Sequence, residues 1–495
     1  MPIMDEPTSL DPQIADSNSE KLVAANCYEG LVRIMADGTI GKGVATDWNI
    51  SDDGLTYTFK LRNNSHWAMF SGHKAVLGEN YEDTFDITVK AEDFKFGIER
   101  TLSEQTGSAD APLFSAVKSI STPDDFTIVF NLSYADDNFL YALTNPGAMP
   151  CDEEFFNLTN GKYGLDAKYL LCNGPFHVSK WTEKTSVKLV KNNEYNGESS
   201  VSPSSVTFYI NNNDSEVADK MNSVTYDVAF LSSSQFSSIE NKKDLNSVAV
   251  QNVTYSFIFN QNDNNYRNKN MRLAFCRSCD TSSLFDSQSD ISKADGIVPP
   301  SCKIGGEDYR NGNAAELLSY DETLAKKNFN DALLELGSSS VETTILCTEQ
   351  YESFVKQMVQ KLQKTLGVKF VSTVKVVSES DLEAAVNDGN YSVAFYPFKA
   401  KSSFAGEIIE GFDQNNIFGY ESDVLSQKIR NIKNNSGSLE VERSAVADAE
   451  NYLVSEAVIM PVFYENSYFV TSKKTSGIYF YSSADNVCFI NAKKS

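Results

Sequence analysis

The sequence predicts an α/β protein built from distinct lobes, and three observations predict it. Strand and helix patterns alternate through the last half, which is what a sheet with crossover helices requires. The first half carries short strands of alternating polarity, bounded by Gly, Pro, Asn and Asp turns. The chain is 495 residues long with 41% hydrophobic and 12% aromatic residues, enough apolar surface for roughly two to four packed domains.

Residues 55–61 (LTYTFKL) alternate apolar and polar after the turn Ser51-Asp52-Asp53-Gly54, so they read as a half-buried strand. Residues 126–132 (FTIVFNL) repeat the pattern after Thr122-Pro123-Asp124-Asp125. Between them, 91–102 reads as a helix with Phe94, Ile98 and Leu102 on one face. Strands follow at 186–190, 205–210 and 254–259, with polar loops at 211–213 and 260–265. The Ser-rich stretch 232–238 reads as a linker or a ligand-facing loop. In the last half, 271–276 opens an apolar helix, and 325–336 is a helix closed by Gly337. Residues 350–366 form an amphipathic helix, with Phe354, Met358, Leu362 and Leu366 every fourth residue and Gly367 at the C-terminus. A strand at 368–371, a helix near 380–386 and a buried strand at 392–396 come next. A helix over 439–454 leads into a strand at 458–464, and no internal repeat is present.

Charge and composition exclude several functions. Asp and Glu outnumber Lys and Arg by 67 to 43, a net charge of −24, so phosphate-backbone binding is disfavoured. The apolar content excludes a disordered acidic chain. The longest apolar run, 457–464, is far short of the ~20 residues a membrane helix needs. Eight cysteines are too sparse for a disulfide scaffold. Cys276 and Cys279 form a CxxC, but zinc would need two further ligands and no second CxxC follows. They read as small core residues, whereas Cys151 and Cys172 stay open to bridging in an exported protein. The three histidines, His66, His73 and His177, have no metal-binding spacing, and no GxSxG, HExxH, P-loop or GxGxxG occurs. No cofactor and no metal site is expected. Residues 1–5 show neither a charged n-region nor an apolar h-region, so the chain is either cytoplasmic or a mature form without its export segment.

A set of motifs then falls in order along the chain: Ser9-Leu10-Asp11-Pro12, Tyr28-Glu29-Gly30-Leu31-Val32, Asp37-Gly38, and Ala45-Thr46-Asp47-Trp48 before the DGLTYTFKLR run at 53–62. Trp67, Ala91-Glu92-Asp93-Phe94, Arg100 and Asn173-Gly174-Pro175-Phe176 with Trp181 and Lys191-Asn192 continue it. Met271-Arg272-Leu273-Ala274 with Asp280, and Tyr452-Leu453-Val454-Ser455-Glu456 with Met460-Pro461-Val462, complete it. Together they resemble the family 5 extracellular solute-binding proteins, which deliver oligopeptides and similar ligands to ABC importers.

The resemblance implies a type II periplasmic-binding-protein fold, with two α/β lobes closing by a hinge around a cleft. Lobe I would hold 1–32, 173–262 and 470–495, an extra domain 33–172 would pack on it, and 263–469 would form lobe II. It implies a non-enzymatic monomer that captures oligopeptides and passes them to membrane permease subunits, without nucleic acid, metal or cofactor. It implies an extracytoplasmic location, lipid-anchored at the cell surface or free in a periplasm, with the signal segment trimmed. The ligand-facing residues carried over are Asp16, Ser17, Asn18, Ser232, Ser233, Tyr255, Phe257, Phe395, Tyr396, Phe398, Lys399 and Tyr464. Of Phe395 and Tyr396, only one can face the ligand if the strand continues.

Two departures stand out. Residues 74–88 read as an inserted loop. The family segment that supplies an aspartate for the peptide α-ammonium corresponds here to 395–401 (FYPFKAK), with two lysines and no aspartate. A peptide amino terminus would need another carboxylate, such as Asp16 or Glu465. An oligosaccharide or other small solute therefore stays open as the ligand, as does a glycoside hydrolase using two carboxylates.

Overall fold

In the Thr56–Leu61 strand, Tyr57, Phe59 and Leu61 are buried while the residues between them are not, the period of a sheet covered on one face. The structure is a computed structural model describing the chain apart from residues 36–38, 137, 198–199, 282–283, 286–289, 400–403, 414–415, 435–438 and 482–485. Asp37-Gly38 and Lys401 lie outside the described residues. The chain divides into two compact units, 1–249 with 468–495, and 250–467. It passes from one to the other inside two long strands, Leu245–Phe259 and Ile459–Ser472.

The first unit contains two four-stranded sheets. One is antiparallel throughout, in the order Ala45–Ile50, Thr56–Leu61, Thr127–Leu132, Val117–Asp124. Its inner face packs aromatic edges, with Phe59 5.8 Å from Phe130 and Tyr57 4.9 Å from Phe139. The turn into its second strand holds Gly54 at φ 69°, where a Cβ would be strained. The helix Ala91–Leu102 buries Phe94 and Ile98, but Leu102, expected on the same face, is the last helical residue and stays exposed. The second sheet runs Pro2–Ile3, Ser205–Ile210, Ser186–Lys191, Phe176–Thr182.

A buried ion pair ties the amino-terminal segment to this helix. Arg100 grips Asp11 with both guanidinium nitrogens, at 2.6 and 3.3 Å, donates to Gln13 at 2.6 Å, and lies 4.1 Å over the Phe156 ring. Two sequence expectations change in this unit. The 74–88 stretch is not a plain loop, since it holds short helices at Lys74–Leu77 and Tyr81–Thr84. The Ser-rich stretch is not a linker either. Ser233–Ser238 is helical, because Ser232 caps it in a reciprocal pair with Gln235, and Phe236 packs on the core formed by Val217, Met221 and Leu231.

The second unit is built on a mixed sheet in which Ile459–Ser472, Leu245–Phe259, Val393–Lys399, Val341–Cys347 and Phe370–Val376 lie side by side. The last two pair in parallel, while Leu245–Phe259 and Val393–Lys399 run antiparallel. One face is covered by the helix Glu352–Leu366, which buries Phe354, Val355, Met358 and Leu362. A short 3-10 turn, Glu349–Tyr351, replaces its expected first residues, and Gly367 follows it at φ 79°. Helices Asp423–Asn434 and Leu439–Ser455 contribute Ile429, Ile432, Val446 and Leu453 to the second core. The 260–265 loop is shortened by the helix Asn264–Arg267, which Asp263 caps. Cys276 and Cys279 are buried at the end of Lys269–Ser278, and burial pushes the Cys276 thiol up to about 12. All eight cysteines are free thiols, Cys151 and Cys172 included. Among the described residues no helix is long and apolar enough to cross a membrane.

Candidate ligand-binding site

In the second unit, strand register decides which aromatics meet. Leu245–Phe259 pairs with Val393–Lys399 so that Phe257 faces Phe395, Tyr255 faces Pro397 and Val253 faces Lys399. Directly opposite residues share a sheet face. Phe257 and Phe395 are fully buried under the Glu352–Leu366 helix, so both serve the core. Tyr255, half-buried, lies at the end of this row, 4.4 Å from Tyr351, 5.4 Å from Phe395 and 5.1 Å from Phe463. Tyr396 and Phe398 alternate to the other face, where Phe398 stacks 5.8 Å from Phe412. Lys399 is exposed at the strand end.

Pro397 fits this strand for a specific reason. The Val341–Cys347 strand is in register with Val393 and Ala394 only. Over Phe395–Phe398 this edge has no strand partner among the described residues, and sheet prolines are confined to edges of this kind.

Tyr464 is buried and pinned. Its hydroxyl accepts from the Asp295 amide at 3.1 Å and lies 3.4 Å from the Val298 carbonyl; burial pushes it up to about 12. The loop it holds is also fixed by Glu450, which accepts from the Ile297 and Val298 amides at 2.6 and 2.9 Å and pairs with Arg310. Tyr464 is thus a loop anchor.

One strand residue further on, Glu465 is half-buried. Its carboxylate accepts from Tyr351 Oη at 2.5 Å and Gln350 Nε2 at 3.2 Å. Burial raises its carboxyl above the usual range, with nearby Glu379 adding to the rise and the two donors opposing it. Burial and the same carboxylate drive Tyr351 and Tyr255 upward too. Sequence reading missed Tyr351. The signal for Glu465 was its period-two spacing from buried Phe463.

In the first unit, Asp16 and Asn18 are exposed and Ser17 caps the helix Asn18–Cys27. Here Glu20 dominates: it accepts from the Asp16 and Ser17 amides at 3.0 and 3.1 Å and from Thr8 Oγ1 at 2.7 Å. Against the upward push of burial, these bonds hold its carboxyl below the usual range. Ser232 spends its hydroxyl on the Gln235 amide at 3.2 Å, and Ser233 is buried. Cavities open elsewhere among the described residues. One of about 230 Å³ in the first unit is lined by Tyr28, Glu29 and Met149, and one of about 220 Å³ in the second by Cys276, Cys279 and Met460. Neither is lined by any of the ligand-facing residues expected from the sequence. Among the described residues, no group of three or more His, Cys, Asp or Glu is arranged to hold a metal ion.

Residues 39–418 match the family described as bacterial extracellular solute-binding proteins, family 5 middle. The chain belongs to the family 5 bacterial extracellular solute-binding proteins. As a solute-binding protein it is a transport component and not an enzyme, which sets the hydrolase alternative aside. It is 24% identical over 496 residues to the dipeptide-binding protein DppE of Bacillus subtilis, covering 96% of this chain and 88% of DppE. The oligopeptide-binding protein OppA of the same organism is 26% identical over 385 residues, 74% of this chain and 68% of OppA. Among solved structures, the dipeptide-binding protein of Pseudoalteromonas sp. SM9913 in complex with Met-Leu matches with a TM-score of 0.79 at 18% identity, over 100% of this chain and 99% of that one. Listeria monocytogenes OppA bound to peptide matches with a TM-score of 0.75 at 21% identity, over 98% and 97%. The solute-binding protein therefore has the mixed α/β fold of dipeptide- and oligopeptide-binding periplasmic proteins along its whole length.

Proposed function

We propose that this solute-binding protein captures oligopeptides outside the cytoplasm and hands them to the permease of an ABC importer. The observation that carries the reading is the 395–398 strand edge, which pairs with no strand on the side of Val341–Cys347 among the described residues and is bordered by the half-buried rings of Tyr396 and Phe398. A free main-chain edge beside aromatic surface suits an extended peptide, whose amides pair with the strand while side chains take the adjoining pockets. The DppE match, spanning nearly the whole chain, supports the same ligand class.

Within this reading, Tyr255, Tyr396, Phe398 and Lys399 of the second unit supply surface to the ligand. Phe257, Phe395 and Tyr464 hold that surface from behind. We also propose 33–172 as a domain of its own in the first unit, since it contains a complete four-stranded sheet and is joined to the amino-terminal segment by the Arg100–Asp11 and Arg62–Glu29 pairs. The mature protein would be lipid-anchored or free in a periplasm.

Isothermal titration against peptide pools and against oligosaccharides tests the proposal. Saturable heat with peptides and none with sugars is expected; the reverse pattern would overturn it.

A further inference from the structure

The half-buried Glu465 carboxylate stands out among the acids of the second unit. Arg310 answers Glu450 in the same unit, but no lysine, arginine or histidine among the described residues pairs with Glu465. Its donors are neutral, Tyr351 Oη at 2.5 Å and Gln350 Nε2 at 3.2 Å. The nearby acid Glu379 adds negative potential rather than relieving it. A carboxylate withdrawn from water without a counter-charge is costly, and an incoming cation offsets that cost.

The surroundings narrow the kind of cation. Tyr351 lies 4.4 Å from Tyr255 and 5.4 Å from Phe463, and Tyr255 lies 5.1 Å from Phe463, ring centre to ring centre. Ring faces beside a carboxylate attract an ammonium group through both the quadrupole and the full charge. A hydrated metal ion would want more oxygen ligands than this cluster offers. Gln350 is exposed while Tyr351 is buried, so the cluster is open on one side and walled on the other.

From this geometry we infer that Glu465, with Tyr351 and Tyr255, forms a subsite for a protonated primary amine of the ligand. The inference rests on the peptide reading above and deepens it. The amine is either a peptide's amino terminus or a lysine-like side chain, which share this chemistry.

The test uses the full chain and three probes in isothermal titration at neutral pH: Ala-Ala-Ala, its N-acetylated form, and an N-acetylated tripeptide carrying one lysine. The wild-type protein should prefer a free amine, and Glu465→Gln should lose about ten- to a hundredfold in affinity for it. The N-acetylated alanine peptide should bind both proteins equally. Preference for Ala-Ala-Ala identifies the amino terminus as the amine, and preference for the lysine peptide identifies the side chain. If Glu465→Gln binds every probe as the wild type does, the subsite is refuted while peptide binding stands. If the wild type binds no peptide, the peptide reading fails and takes the subsite with it. Should Glu465→Gln not fold, Glu465→Asp withdraws the carboxylate by one methylene and must weaken the free-amine probe selectively. Equal affinity there overturns the assignment.

Discussion

Acid should weaken the first unit through one histidine. His73 is 1% exposed, with its ring 4.3 Å from Phe70 and 5.4 Å from Phe155. Its Nδ1 faces the Phe70 amide at 3.5 Å, which leaves Nε2 to donate to the Leu170 carbonyl at 3.1 Å. Both nitrogens are therefore committed in the neutral form, and protonation must displace the Phe70 amide. Burial first, and the nearby His177 second, lower its pKa from 6.5 to about 4 despite the Leu170 bond. A base whose folded pKa lies below its unfolded one binds fewer protons when folded. Stability is thus fully present above pH 6.5, falls as pH drops between 6.5 and 4, and is lowest below that. The full shift corresponds to about 3 kcal/mol at 1.36 kcal/mol per pKa unit, of which about 2 kcal/mol is lost by pH 5. Because the ring is buried, solvent screening removes little of this.

The assay follows from the sequence. The protein has three tryptophans, Trp48, Trp67 and Trp181, all in the first unit, so their emission reports that unit's unfolding. Urea titrations of wild type and His73→Gln at pH 7 and pH 5 isolate the histidine, since a glutamine amide can still donate to Leu170. The wild type should lose about 2 kcal/mol more than the variant between the two pH values. Parallel losses would refute the reasoning, including the assignment of His73 as neutral.

Other expected outcomes come from buried pairs and rings. Arg100→Met leaves Asp11, 4% exposed in its side chain, as an uncompensated buried charge, and should cost the first unit about 3–5 kcal/mol in the same emission assay; a loss below about 1 kcal/mol would show the pair to be dispensable. Phe395→Ala removes a ring packed against Tyr255, Phe257, Tyr351, Phe354 and Phe463, and should cost about 3–5 kcal/mol by scanning calorimetry. An unchanged transition with weaker peptide binding would instead make Phe395 a ligand contact.

Period and punctuation were legible where local physics decides. Phe354, Met358 and Leu362 are buried in the helix as their spacing predicts, because a four-residue repeat fixes the face whatever covers it. Gly367 ends that helix at a positive φ, which its missing side chain permits. The Ser-rich 232–238 stretch misled because its composition suits a loop; a cap at Ser232 and contacts to helix Asp214–Asn222 overrode it. The motif order points to the family by itself, since many short matches in sequence order are improbable together.

The sequence by itself determined the α/β class, most elements, the family, and that Phe395 and Tyr396 point to opposite faces. Tertiary structure alone decided what each face meets. Phe257 and Phe395 became core because a helix almost a hundred residues after Phe257 covers their side of the sheet. Tyr464 became an anchor because the 294–298 loop returns over it. Glu465 acquired its neutral partners from the turn at Glu349–Tyr351. Alternation along a strand is a local property of the backbone, whereas burial depends on segments distant in sequence, and so the same two-residue period serves a core and a ligand surface alike.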